Sequence, residues 1–343
     1  MDIRNRRGLK EEAGRSLARA SYDPRKLALI HTAVTVGVAL LVTLLNYYLN
    51  HQMDNTVSGL SGMGSRRILA TVQTTLQYIQ AFAMPFWEIG FVFVALRLLR
   101  QQPVEVKDLT TGFRRFGPVL RLRFLQAFLY FGAAVAGVYI ASFLFMLTPY
   151  AQPMMNLLEP MMDMTMTVEQ MEQMVLQVPI EELVGVMMPF FIIFGAIYLV
   201  LGLMLHYRFR VADFIVMDQP GTGALRALLG SMRLTRKKRW QLLKLDLSFW
   251  WYYLLVGVTA AIGYLDLILP RFGVVLPMSS DAAWLVFYIL GLLAQLILFW
   301  YAKSFVLTTW AAAYEALQQT AQEVAQPKPQ PQPKNLPWDD YHA

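Results

Sequence analysis

An all-α, polytopic membrane protein with six spanning helices is the fold class this sequence predicts, and three observations carry it. Charged residues make up only 15% of the chain, where ordinary soluble domains carry roughly 25%. The apolar residues, 56% of the total, are gathered into runs long enough to cross a bilayer. The basic residues lie between those runs on alternate sides: 27 of 30 Lys and Arg fall in the segments expected on the cytoplasmic side and 3 in the outer loops. That asymmetry places both termini in the cytoplasm.

The N-terminal segment, residues 1–26, is basic and amphipathic, with Leu9, Ala13 and Leu17 forming a narrow stripe that predicts an interfacial helix ending near Pro24. The membrane domain occupies residues 27–317. Its first span runs over 27–49, at about 1.5 Å per residue enough for a hydrocarbon core of about 30 Å. The Gly- and Ser-rich stretch 50–67 reads as an exposed connection. Gln73, Thr74, Thr75, Gln77 and Gln80 make the start of the next helix polar, so the second span is expected at 81–99. A basic loop follows, and the third span covers about 124–147, stopped by Pro149.

Between Tyr150 and Leu183 there is no Lys or Arg but six acids, which marks an outer loop; Thr167 and Gln170 form a capping box there. The fourth span is 184–207. Asp218-Gln219-Pro220-Gly221 is a turn signal, after which Ala224, Leu225, Leu228, Leu229 and Met232 predict an amphipathic helix lying on the cytoplasmic surface. The basic cluster Arg236 to Arg239 and Trp240 mark the mouth of a fifth span over about 242–269, and the sixth begins near Ala283 and continues to Leu317. Residues 318–343, rich in Gln and Pro, read as an extended, disordered cytoplasmic tail. Short amphipathic pieces beginning near Leu9, Val106 and Ala224 precede spans one, three and five, which suggests a threefold hairpin pseudo-repeat.

Several of these residues carry a family resemblance. Leu9-Lys10-x-x-Ala13-x-x-x-Leu17, Asp218-Gln219-Pro220, Ala224-Leu225, Ser231-Met232, Leu245-x-Leu247-Ser248-Phe249-x-Trp251 and Ala313-Tyr314-x-x-Leu317 resemble the shared motifs of an uncharacterised family of bacterial six-helix membrane proteins. That family is similar in architecture to the membrane domain attached to some glycerophosphodiester phosphodiesterases. The resemblance implies a fold and a bacterial inner membrane, and no reaction.

Candidate sites are few. Glu88, near the middle of the second span, is an acid at bilayer depth, which is costly unless it is protonated, paired or wet. It either relays protons or a cation, or is held in a helix interface. Asp246 on the fifth span and Lys303 on the sixth are expected at similar depth and to pair with one another. Arg233, Arg236, Lys237, Lys238 and Arg239 are expected to contact anionic lipid headgroups or to act as topology determinants. Met154, Met155, Met161, Met162, Met164 and Met166 have the thioether chemistry of a copper(I) site, but without His or Cys nearby they read as packing or lipid contact. Trp338-Asp339-Asp340-Tyr341 offers a docking peptide or, more simply, a solvated terminus.

The chain has no cysteine, and its four His show no metal-ligand spacing. There is no phosphate loop, nucleophile elbow or dinucleotide fingerprint, so neither a cofactor nor a catalytic constellation is expected. The basic patch adjoins a membrane entry rather than a recognisable nucleic-acid module. The expected role is a non-catalytic module of the cytoplasmic membrane that organises lipid or protein partners, with a protein partner or a homo-oligomer compatible. The alternative is a small-solute or ion transporter built on Glu88.

Overall fold

The computed structural model describes residues 3–54, 60–158, 180–274 and 279–325, and among these every regular element is a helix. The Met-rich stretch 161–166, the Thr167 capping box and the terminal Trp338 peptide lie outside the described residues. The chain divides into two compact units: residues 1–116, 217–220 and 233–343 form one, and residues 117–216 and 221–232 the other. Among the described residues, five helices are long and apolar enough to cross a membrane, and a bent helix pair makes a sixth candidate.

In the first unit, α1 (Arg6–Ala18) is opened by Asn5, whose side chain accepts from the Gly8 N–H. Leu9, Ala13 and Ser16 on its inner face are buried, and it packs on the helices Leu60–Leu99 and Ser280–Ala325. The helix α2 (Pro24–Asp54) begins with Asp23 as its cap, accepting from the Arg25 N–H, and with Pro24 in the first turn, where a missing N–H costs nothing. The next, α3 (Leu60–Leu99), is longer than the sequence reading expects. Thr71, Thr74 and Thr75 each donate a hydroxyl to the carbonyl four residues earlier at 2.8 Å, so the polar start of this helix satisfies itself. The Gly and Ser residues from 60 onward lower helix propensity by at most about 1 kcal/mol each, too little to stop a helix continuous with that run.

The end of α3 is a Schellman stop. Gln102 N–H reaches the Arg97 carbonyl at 2.9 Å and Gln101 N–H the Leu98 carbonyl at 3.2 Å, with Gln101 in the left-handed region at φ 54°. A 3-10 turn (Val106–Thr110) and α4 (Thr111–Arg114) then fold back onto α3. The approach is backbone to backbone: a Cβ on Gly90 would stand 1.8 Å from the Leu109 carbonyl oxygen, and one on Gly112 would stand 1.9 Å from that of Phe86. Only glycine fits either position. Arg97 holds Asp108 at 2.8 Å beside this contact. Leu27, Ala28, Phe91, Val94, Leu98, Val104 and Leu109 form the local core.

The second unit contains α5 (Phe116–Met146) from Gly117 onward, α6 (Ala151–Leu158), α7 (Ile180–Phe209), the short α8 (Ala212–Asp218) as far as Val216, and the first turns of α9 (Ala224–Thr235). Phe145 meets Phe190 edge-on, Gly137 gives room to Phe194, and Arg123 pairs with Asp213 at 3.0 Å. Ser231 donates to the Arg208 carbonyl, which ties α9 to the end of α7. On α9 the expected apolar stripe splits, with Ala224 and Leu228 buried and Leu225 and Leu229 exposed.

Back in the first unit, the expected fifth span is broken. Residues 239–247 form α10 (Arg239–Leu247) and residues 250–262 form α11 (Trp250–Ile262), with a 60° bend between them. Without Pro or Gly the break is illegible in the sequence; Ser248 makes it by donating its hydroxyl back to the Leu245 carbonyl, while the Ser248 and Phe249 N–H groups tighten to bonds three residues back. A one-turn α12 (Leu265–Ile268) and a 3-10 turn (Leu269–Phe272) end at Gly273, and α13 (Ser280–Ala325) closes the unit. It passes Leu317, so the first residues of the expected tail are helical. Short helical pieces do precede α2, α5 and α11, the order of the expected pseudo-repeat.

Candidate functional site

Lys303 on α13 is the centre of a polar hub. Its side chain is 8% exposed, and it reaches both carboxylate oxygens of Glu88 on α3 at 3.1 Å. It also donates to Nδ1 of His31 on α2 at 3.1 Å. That bond determines the imidazole tautomer: Nδ1 accepts, so the proton sits on Nε2, which donates to the Trp87 carbonyl at 3.2 Å. The Trp87 indole N–H returns a bond to the His31 carbonyl at 3.0 Å and its ring stacks on the imidazole at 5.1 Å between centroids. The ammonium further lies over the rings of Phe91 and Phe299. One cation, one anion and one neutral His thus join three spanning helices with no net charge.

The pairing of Lys303 with Asp246 expected from sequence does not form; Glu88 takes that place. The reason is geometric. Ser304 donates to the Pro24 carbonyl at 2.8 Å, which brings Lys303 against α2 and the facing turn of α3, whereas Asp246 sits before the break and accepts from Tyr253 across it at 2.7 Å. Glu88 is 42% exposed at its side chain, so the hub is shut on the Lys303 side and open along Glu88. His31 is the hub residue that sequence spacing misses. An ionisable ring in an apolar span is a signal by itself, but its partners lie 56 and 272 residues away.

A second knot joins residues from separate motifs. Arg100, the residue just before the left-handed Gln101, forms ion pairs with Asp218 and Glu315, the latter at 2.7 Å. Tyr314 donates to Asp218 at 3.0 Å, and Gln318 lies against both. The hydrogen bond to Asp218, followed by Glu315, holds the Arg100 guanidinium above its usual value against the opposing effect of burial. The Asp218-Gln219-Pro220 and Ala313-Tyr314 motifs therefore meet in space.

A third tie closes the helix break. Lys10 donates to the Ser248 carbonyl at 2.8 Å and lies 4.1 Å from the Phe249 ring centroid, while Arg6 reaches the Lys244 carbonyl. Two cations at the end of α10 also complement its dipole. Burial, with Arg6 adding to it, lowers the Lys10 ammonium from its ordinary value.

The expected lipid-contact residues lie on one exposed turn. Arg233, Arg236 and Lys237 are exposed and Lys238 is half-buried, none with an acidic partner among the described residues. Lys237 has φ 65°, which turns the chain between α9 and α10. Arg239 is half-buried at the start of α10. Trp240 and Trp250 are each 64% exposed. Among the described residues no cluster of His, Asp and Glu could hold a metal ion.

Residues 3–320 match the protein family of unknown function designated DUF975. No curated protein and no solved structure matches the chain. The chain belongs to the DUF975 family.

Proposed function

We propose that this DUF975-family protein is a non-catalytic module of a bacterial cytoplasmic membrane, with both termini inside, whose basic turn gathers anionic lipid and through it a partner. The observation that carries this is the turn itself: Arg233, Arg236, Lys237 and Lys238, without acidic partners among the described residues, next in sequence to the exposed ring of Trp240. Basic residues at a headgroup surface contribute about 1 kcal/mol each toward anionic lipid, and Trp favours the same depth. By contrast, Glu88 and Lys303 within the spans are tied to one another.

The test is native mass spectrometry of the full chain released from detergent with equal phosphatidylglycerol and phosphatidylcholine. Replacing Arg236, Lys237 and Lys238 by Gln should reduce the preference for phosphatidylglycerol more than tenfold, at about 1 kcal/mol per charge. An unchanged preference sinks the proposal. A second reading, transport of an ion or small solute, is favoured by the partly exposed side of Glu88. It requires that single cysteines at 84–97 near Glu88 react with a water-soluble thiol reagent; labelling only at the ends of the span removes it.

A further inference from the structure

We propose that the groove between α11 and α13 holds one acyl chain of an anionic phospholipid whose phosphate is bound by Arg25. The groove has a volume of about 540 Å³, within the range of roughly 300–1,000 Å³ common to ligand sites. Its walls are Trp251, Leu255 and Val258 from α11, facing Ala294, Ile297 and Tyr301 from α13. Nearly all of this lining is apolar.

One end of the groove is shut by close helix contact. A Cβ on Gly291 would stand 3.0 Å from both the Gly263 nitrogen and the Thr259 carbonyl oxygen, so α11 and α13 meet there almost backbone to backbone. From Ala294 the groove runs along α13 to Phe305, 11 residues and therefore about 16 Å on. That is close to one leaflet of a hydrocarbon core about 30 Å thick, the depth one acyl chain spans. The helix α11 contributes the gap as well: its 13 residues rise only about 20 Å, short of a full crossing. A bound chain makes up apolar contact that the broken span lacks.

Charge decides what kind of lipid. Arg25 stands 5.8 Å above the Tyr301 ring, at the basic mouth of the groove. Neither Arg25 nor Lys26 has an acidic partner among the described residues, and both are exposed. A planar guanidinium suits a phosphate, and Trp251 and Tyr301 are the side chains expected at headgroup depth. Lys10 adds a second positive charge nearby, over Phe249, whose ring in turn meets Phe305 at the end of the groove. The site shares with the basic turn only the premise that the ligand is anionic lipid; its residues are different.

The experiment uses the full chain in phosphatidylcholine nanodiscs containing a small fraction of phosphatidylglycerol with a diazirine in its acyl chain. After irradiation, adducts should concentrate on peptides carrying Leu255 and Ile297, and unlabelled phosphatidylglycerol should compete for them. Ala294→Trp, which fills the groove, and Arg25→Gln, which removes the charge at an exposed position, should each reduce those adducts at least fivefold. The Gln triple variant at 236–238 should leave them unchanged, which separates this site from the basic turn. Equal labelling in Arg25→Gln, or equal labelling by a phosphatidylcholine probe, means annular lipid only and overturns the proposal. Because Arg25 is exposed, its variant decides the matter even if Ala294→Trp does not fold.

Discussion

The hub at Lys303 and the knot at Arg100 both tie α3 to α13, yet they balance charge in opposite ways. In the hub one cation meets one anion, and a neutral imidazole takes the remaining donor direction. In the knot one cation meets two carboxylates, with a tyrosine and a glutamine adding hydrogen bonds. The difference follows burial. The Lys303 side chain is 8% exposed, where an uncompensated charge is costly; the Arg100 side chain is 33% exposed, where an excess acid is tolerated.

That contrast can be broken from either side, and the largest effect should come from the hub. Lys303→Met leaves Glu88 without its partner and should cost about 3 kcal/mol, toward the lower end for a buried pair because Glu88 is partly exposed. Thermal unfolding of the purified protein in detergent is the readout. Asp218→Asn in the knot should cost less, about 1–2 kcal/mol, since Asn keeps the oxygen that Tyr314 uses and Arg100 still has Glu315. His31→Gln should cost about 1 kcal/mol, and the same substitution at His51, which is exposed, should be silent. The comparison is sharpened at Gln101, where the backbone is left-handed just after Arg100. Replacing it by Gly should stabilise by up to about 1 kcal/mol while leaving the Arg100 contacts intact, as a small rise in melting temperature would report.

Much of the helix order is legible in the residues, because long apolar runs and basic clusters are strong signals. The break after Leu247 is not, since it depends on a serine bonding back and a lysine arriving from α1, 238 residues away in sequence. Glu88 is recognisable as a residue needing a partner, but its partner is not, because pairing depends on which turns of α3 and α13 face one another. The motifs Asp218-Gln219-Pro220 and Ala313-Tyr314 are visible as separate words; only the fold shows that Arg100 joins them. His31 lies among apolar residues with no helpful spacing, and stacking on Trp87 is a tertiary event.

The mutual compensation of Glu88 and Lys303 inside the spans decides between the two readings of the hub. A double-mutant cycle on Glu88→Gln and Lys303→Met, followed by thermal unfolding, measures it most directly. The double variant should be more stable than Lys303→Met alone, with a coupling of about 2 kcal/mol or more. Strictly additive losses would show that Glu88 and Lys303 act independently, and the acid would then have to be explained by water or a transported ion.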